Sequence, residues 1–197
     1  MNGVDQLELF MLKAAALKIA VDASLPSSKM NRASVESGDE QVRASIAQFS
    51  KELRDDADAM SHFYRLFYML ENDIRKLIDE TLTEAYGHEW WDDYAPPAVQ
   101  DECALNQKRE AEFGVTSRSD NNLDYISFGQ LGDIIRSNYT LFGGIISNQK
   151  AMSRVMTALN NLRGPIAHCG ILADDEIDRL KLTVKDWFRL LEGPKSV

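Results

Sequence analysis

Apolar residues recur at steps of three and four residues along most of the chain, which is the spacing of amphipathic helices. The clearest stretch, residues 61–86, places on one face Phe63, Leu66, Phe67, Leu70, Ile74, Leu77, Ile78 and Leu82. Residues 175–191 repeat the pattern, with Asp174 as the predicted N-cap and Gly193-Pro194 as the stop. No stretch alternates apolar and polar residues as a half-buried strand would, so the pattern predicts an all-α protein.

Shorter patterns predict further helices over about 98–113, 128–139 and 148–162. Ser127 and Gln130 have the spacing of a capping box, in which the two residues satisfy each other's free amides at a helix start. Together with the two strong patterns, these segments predict a compact bundle of four or five helices over residues 61–193.

The first part of the chain, residues 1–60, predicts a helical N-terminal extension. Its helices are expected at about 5–23 and 41–59, with a polar break near Pro26. The stretch 34–40, which contains Ser, Gly and Glu, predicts a mobile connection.

Composition narrows the class of protein. A chain of 197 residues with 44% hydrophobic residues can bury a sizeable core, which excludes disordered and fibrous classes. Its apolar runs are too short to span a bilayer, and the N-terminus lacks the features of a secretory signal. Two cysteines, Cys103 and Cys169, allow one disulfide at most. These features predict a soluble, cytoplasmic protein without membrane contact.

Charge is unevenly distributed along the chain. The formal net charge is −9, and residues 1–60, 61–128 and 129–197 contribute −3, −8 and +2. Overall acidity argues against a protein that coats nucleic acid with a broad basic face. The last part is mildly basic, however, which suits contact with a few phosphates.

Several familiar sites are absent from the sequence. His88-Glu89 starts like a zinc-peptidase helix, but Asp92 replaces the second histidine of that motif. No glycine-rich phosphate loop, dinucleotide fingerprint or nucleophile elbow is present. Trp90, Trp91 and Tyr94 have the composition of a base-stacking platform, although a role in the core or in a partner contact is the preferred interpretation.

The remaining candidate site is the segment 160–168. Arg163 carries a planar fork of donors suited to phosphate, and His168 can exchange a proton near neutral pH. Pro165 is expected to break the helix after Leu162 and so to bring both side chains into one cleft. The predicted substrate-binding residues beside this pair are Asn160, Asn161 and Arg154.

The same residues also have a purely structural interpretation. Arg163 would then complement a helix C-terminus, and His168 would be a buried, hydrogen-bonded residue.

Three segments resemble the HEPN superfamily of all-α nucleotide-binding and ribonuclease domains: 70–78 (LENDIRKLI), 123–131 (LDYISFGQL) and 161–168 (NLRGPIAH). The resemblance covers about residues 61–191 and is greatest to a branch of small bacterial proteins and the C-terminal domain of a yeast nuclear RNA quality-control endonuclease. The family signature is Arg, four to six residues, then His, usually with a polar residue after the Arg. Gly164 stands at that polar position here.

The resemblance implies metal-independent RNA cleavage without a cofactor, with His168 as acid or base and Arg163 stabilising charge on the phosphate. It further implies a homodimer, a toxin-like or antiviral role, and an antitoxin or larger defence system as partner. An alternative is a non-catalytic module that binds RNA, a nucleotide or a protein. A third is an acidic inhibitor of a defence factor that mimics nucleic acid, for which the charge of residues 61–128 is the only support.

Overall fold

The computed structural model describes the backbone of residues 32–192 and the side chains of residues 39–192. Within this range the α-helices are α1 (Arg32–Ile46), α2 (Lys51–Tyr86), α3 (Trp90–Tyr94), α4 (Pro97–Glu112), α5 (Phe128–Ser137), α6 (Tyr139–Phe142), α7 (Gln149–Ala167) and α8 (Asp174–Leu191). A 3₁₀ turn covers Asn122–Tyr125, and residues 32–192 contain no strand. The prediction of an all-α fold is confirmed.

The long helix α2 supplies the largest apolar face of the core. The predicted stripe is confirmed by its buried members Phe67, Leu70, Ile74, Ile78 and Leu82. The helix begins ten residues earlier than predicted, at Lys51. Removal of this stripe from water favours packing of the other helices against α2.

Helices α5, α7 and α8 contribute most of the remaining core. Its buried members on these helices include Leu131, Ile134, Ile135, Met152, Met156, Leu159, Leu180, Val184 and Trp187. The predicted capping box at the start of α5 is confirmed, because the Ser127 N–H donates to Gln130 Oε1 over 2.7 Å. Trp90 is buried in the core, in agreement with its preferred interpretation.

Near the start of the described range, the helices differ from the prediction in two ways. The helix predicted over 41–59 is two helices, because Ser50 Oγ accepts from the Leu53 N–H and caps a new start after residues 47–50. The stretch 34–40, predicted as a mobile connection, lies within α1; its single glycine disfavours the helix by about 1 kcal/mol, which does not end it.

At the start of α8 the N-cap is Ala173, and Asp174 is the first helical residue. Asp174 there lies in an acidic first turn that complements the positive end of the helix. The helix predicted over 5–23, the break near Pro26 and the stop at Gly193-Pro194 lie outside the described residues.

Contacts between Cα atoms divide the chain into two units, Met1–Arg54 and Asp55–Val197. The division predicted from the sequence, 1–60 and 61–193, stays a prediction.

The most consequential correction concerns α7, which does not break at Gly164-Pro165. The helix continues to Ala167 with Pro165 inside it. Proline normally disfavours the helical conformation of the preceding residue through contact with that residue's Cβ, and Gly164 has no Cβ. Pro165 removes one backbone N–H donor, and because it lies in the last turn, only two helical residues follow it.

The helix ends just after this point with a backbone cap. Cys169 has φ of 58°, in the left-handed region that usually favours glycine. The Gly170 N–H then donates to the Pro165 carbonyl oxygen over 2.7 Å. A Schellman cap has two hydrogen bonds, and this is the one that spans more residues, the 6→1 bond.

Replacement of Pro165 with Ala tests the continuity of α7. We expect Pro165→Ala to raise the free energy of unfolding by about 1 kcal/mol or more, because alanine restores an N–H donor inside the helix. The matched control is Pro97→Ala, since Pro97 is an exposed residue at the first position of α4, where proline is favoured and no donor is missed. Urea unfolding followed by circular dichroism measures both, and equal effects of the two variants would contradict a continuous α7.

Candidate functional site

A buried carboxylate organises the candidate site. Glu71 lies on the apolar face of α2 and is only 8% exposed. Its Oε2 accepts from Arg163 Nε over 2.9 Å, and its Oε1 accepts from Arg75 Nη2 over 2.6 Å. Glu71 therefore fixes one arginine of its own helix, Arg75, and one of α7, Arg163, which lies 92 positions from Glu71 along the chain.

Arg75 connects this pair to the 3₁₀ turn. Its Nε donates to the carbonyl oxygen of the buried Leu123 over 3.0 Å, and the same nitrogen lies 3.7 Å from Asp124 Oδ1. With Glu71 and Asn72 also bound to it, the Arg75 guanidinium is occupied on all three nitrogens. Arg75 therefore has a structural role in joining α2 to the turn.

Arg163 is bound differently. Only its Nε contacts Glu71, and its two terminal nitrogens have no partner among the side chains and backbone of residues 39–192. The side chain is 35% exposed. Arg163 is thus held in place by a buried carboxylate while part of its donor fork stays available to a ligand.

Arg163 lines an open groove of about 560 Å³. Helix α2 forms one wall with Tyr64, Tyr68 and Glu71, and the end of α7 forms another with Arg163 and Ile166. Arg118, from the segment between α4 and the 3₁₀ turn, completes the groove. Its volume is within the range of about 300–1,000 Å³ typical of small-ligand sites.

The segment that carries Arg118 is held by Glu110 of α4. The backbone N–H of Arg118 donates to Glu110 Oε1 over 2.7 Å, and this hydrogen bond is the main cause that lowers the pKa of Glu110 below its ordinary value. The Arg118 guanidinium also binds Glu110 and lies 5.0 Å from the centre of the Tyr125 ring. The contacts of ionised Glu110 with Arg118 stabilise the folded state. This stabilisation is present above the ordinary pKa of a glutamate and is lost as the pH falls through the lowered pKa of Glu110.

The predicted pair of Arg163 and His168 is not brought into one cleft within a protomer. His168 caps the C-terminus of α7, is exposed, and is not among the residues that line the groove. In a continuous helix, side chains five residues apart point about 140° away from each other. The predicted cleft required a break at Pro165 that α7 does not have.

The structural interpretation of the two residues is wrong, whereas their assignment as catalytic residues stays a prediction. His168 is exposed, and its side chain has no hydrogen-bond partner among residues 39–192. Arg163 binds a side chain of α2 instead of complementing the end of its own helix.

The predicted substrate-binding residues are dispersed around α7. Asn160 lines a second groove, between α5 and α7, where its side chain lies against Gly129. Arg154 is exposed and lines neither groove, and a nine-residue separation places it about 180° around the helix from Arg163. Asn161 is exposed and also lines neither groove. None of the three shares the groove of Arg163, and their assignment stays a prediction.

The basic character of residues 129–197 is reduced by the fold. Glu71 pairs with Arg163 from outside that stretch, and Asp133 pairs with Arg136 inside it. Local charge counted along the sequence therefore overstates the positive charge available to a ligand.

Other reactive groups lie away from the groove. Cys103 is buried, which raises the pKa of its thiol, and Cys169 is an exposed free thiol. In the described part of the chain, no three or more His, Cys, Asp or Glu side chains come together as a metal site would need. None of the helices from 32 to 192 has the length and apolar character of a membrane span.

The model of the Swt1-like HEPN family matches residues 65–192. This range contains α3 to α8, most of α2 and the whole network around Glu71. The chain belongs to the Swt1-like HEPN family. The all-α bundle is therefore a HEPN fold, as the resemblance implied, and membership indicates a ribonuclease-like or nucleotide-binding role. No curated protein and no solved structure matches the chain.

In this HEPN domain the three segments that carry the sequence resemblance meet at one place. Glu71 and Arg75 come from the first, Leu123 and Asp124 from the second, and Arg163 from the third. Sequence reasoning singled out Arg163 but missed Glu71. The available signal was a glutamate between Leu70 and Ile74, on a face that is otherwise apolar.

The groove residues Tyr64, Tyr68 and Arg118 were also missed. Tyr64 and Tyr68 lie one helical turn apart beside the apolar stripe, which is the only trace they leave in the sequence. Arg118 lies in a polar loop and gives no signal, because its position depends on the contact with Glu110.

Loss of the Glu71 charge tests the network of this HEPN domain. We expect Glu71→Gln to lower the free energy of unfolding by about 3 kcal/mol, because it weakens two arginine contacts made by a largely buried carboxylate. The matched control on the same helix is Glu80→Gln, which removes an exposed pair with Lys76 and is expected to cost less than about 0.5 kcal/mol. Chemical denaturation compares the two, and similar small effects would show that Glu71 does not organise the site.

Proposed function

We propose that the chain is a metal-independent endoribonuclease that cleaves RNA by attack of a ribose 2′-OH on the adjacent phosphate. The observation that carries this proposal is the state of Arg163. Its Nε is bound by the buried Glu71, whereas its terminal nitrogens are available at the wall of an open groove. An arginine that is held in place while its terminal nitrogens stay available suits a phosphate that gains negative charge in the transition state.

The reaction needs two proton transfers. The 2′-oxygen forms a bond to phosphorus as it loses its proton to a base, and the bond from phosphorus to the 5′-oxygen breaks as that oxygen receives a proton from an acid. The products carry a 2′,3′-cyclic phosphate and a 5′-OH. Because the nucleophile is part of the substrate, its proximity to the phosphorus is built in.

His168 is the proposed proton carrier. It is exposed at the end of α7 and does not line the groove of Arg163 in its own protomer. A two-fold homodimer that faces the ends of the two α7 helices would supply two His168 side chains, one for each transfer, and two Arg163 side chains. The proposal therefore includes a dimer with a shared site. Asn160, Asn161 and Arg154 lie outside the groove of Arg163 and would contact RNA away from the cleaved phosphate.

The biological role proposed with this activity is that of a toxin-like or antiviral ribonuclease in the cytoplasm. An antitoxin or a larger defence system would then control it. Support for this role comes from family membership alone.

Single substitutions test the catalytic assignment. We expect Arg163→Ala and His168→Ala each to slow cleavage of total RNA at least about 100-fold, since they remove charge stabilisation and proton transfer respectively. Cleavage is measured in EDTA, and the ends of the products are identified by phosphatase and kinase treatment. The controls are Arg189→Ala and His88→Ala, which change exposed residues of the same types outside the groove.

Growth arrest on expression gives a second readout for the same variants. Arrest by the wild type that either site substitution abolishes would support the enzyme. Absence of cleavage by the wild type, together with equal behaviour of all variants, would contradict it. That result would favour a non-catalytic module that binds RNA, a nucleotide or a protein.

The shared site predicts the oligomeric state. We expect sedimentation velocity to show a dimer at micromolar concentration, because the protomer does not bring Arg163 and His168 together. An active monomer under the same conditions would contradict the shared site.

A further inference from the structure

Two exposed aromatic rings line the wall of the groove opposite Arg163. Tyr64 and Tyr68 lie one turn apart on α2 and are 62% and 61% exposed. Their ring centres are 6.4 Å apart, and the ring planes are inclined by 32°. Neither hydroxyl has a hydrogen-bond partner within the described range 39–192. These rings thus offer largely open faces to a ligand.

The rest of the groove favours an anion next to these rings. The terminal nitrogens of Arg163 and of Arg118 have no hydrogen-bond partner among residues 39–192, although each arginine is anchored through its Nε to a glutamate. The Arg118 guanidinium also lies over the ring of Tyr125. The side chain of Arg118 is 55% exposed. Of the described residues, two carboxylates line the groove, and both are next to arginines: Glu71 is shared by two guanidinium groups, and Asp124 lies 3.7 Å from Arg75 Nε. The groove therefore places anchored, partly available guanidinium groups beside aromatic faces.

This combination matches unpaired nucleotides. A flat base stacks on an aromatic ring without any need for a particular sequence, and guanidinium groups bind the phosphates that connect successive bases. In a duplex the base faces are covered by neighbouring bases, so stacking on protein side chains requires single-stranded RNA.

We propose that the groove binds single-stranded RNA, with a base stacked on Tyr64 or Tyr68 and the adjoining phosphate bound by Arg163 and Arg118. The proposal rests on the ribonuclease function above and deepens it, since it assigns Tyr64 and Tyr68 as substrate-positioning residues. A protein surface is a less suitable occupant, because the groove combines few exposed aliphatic side chains with several charged groups.

Binding is tested with the full-length His168→Ala protein, which holds RNA without cutting it. The probes are a fluorescein-labelled single-stranded RNA of about eight nucleotides and the same sequence as a duplex, with anisotropy as the readout. The double substitution Tyr64→Ala with Tyr68→Ala is expected to weaken single-strand binding about ten-fold or more. Tyr64→Phe with Tyr68→Phe keeps both ring faces and is expected to bind as the parent does.

Two controls exclude other causes. Phe113→Ala removes a more exposed aromatic residue outside the groove and is expected to leave binding unchanged. Sedimentation velocity of the double alanine variant is expected to match the parent; dissociation of a dimer instead would assign the tyrosines to contact with a second copy and overturn the proposal.

The outcomes separate this proposal from the ribonuclease function. Duplex bound as tightly as the single strand, or no loss of binding in the double alanine variant, would overturn the tyrosine site, even where the wild type cleaves RNA. Binding that depends on the tyrosines in a chain whose wild type never cleaves would retain the site and overturn the enzyme. Absence of RNA binding by the parent protein would overturn this proposal outright.

Discussion

The buried charge of Glu71 is the constraint on which the rest of the site depends. A carboxylate on the apolar face of α2 is costly unless charged partners satisfy it, and two arginines do so. One partner, Arg75, joins α2 to the 3₁₀ turn, and the other, Arg163, joins α2 to α7. The same interaction that makes the burial tolerable therefore fixes both the packing of three chain segments and the position of a functional arginine.

Local features were well predicted from the sequence. The apolar stripe of α2 and the capping box at Ser127 follow from spacing alone, because neighbours three and four residues apart decide them. The continuity of α7 could not be predicted in the same way. Pro165 suggests a break, and the outcome depends on the absence of a Cβ at Gly164 and on a backbone cap that closes at Gly170.

The site was predicted only in part, because most of it depends on contacts between distant segments. Arg163 could be found from its residue type and its setting. The partner Glu71 is 92 positions away, and Arg118 is oriented by a loop contact with Glu110. The role proposed for the exposed Tyr64 depends on the fact that these arginines line the same groove. Residue types show which chemistry is available, whereas the fold decides which groups share a groove.

Gly164 and Pro165 also bear on how this branch of the family diverges. The usual polar residue after the arginine would carry a Cβ, which contacts the proline ring when the backbone is helical. Glycine at position 164 and proline at position 165 are therefore expected to change together among related sequences. A polar side chain at position 164 would therefore be expected to require a residue other than proline at position 165, if α7 is to end as it does here.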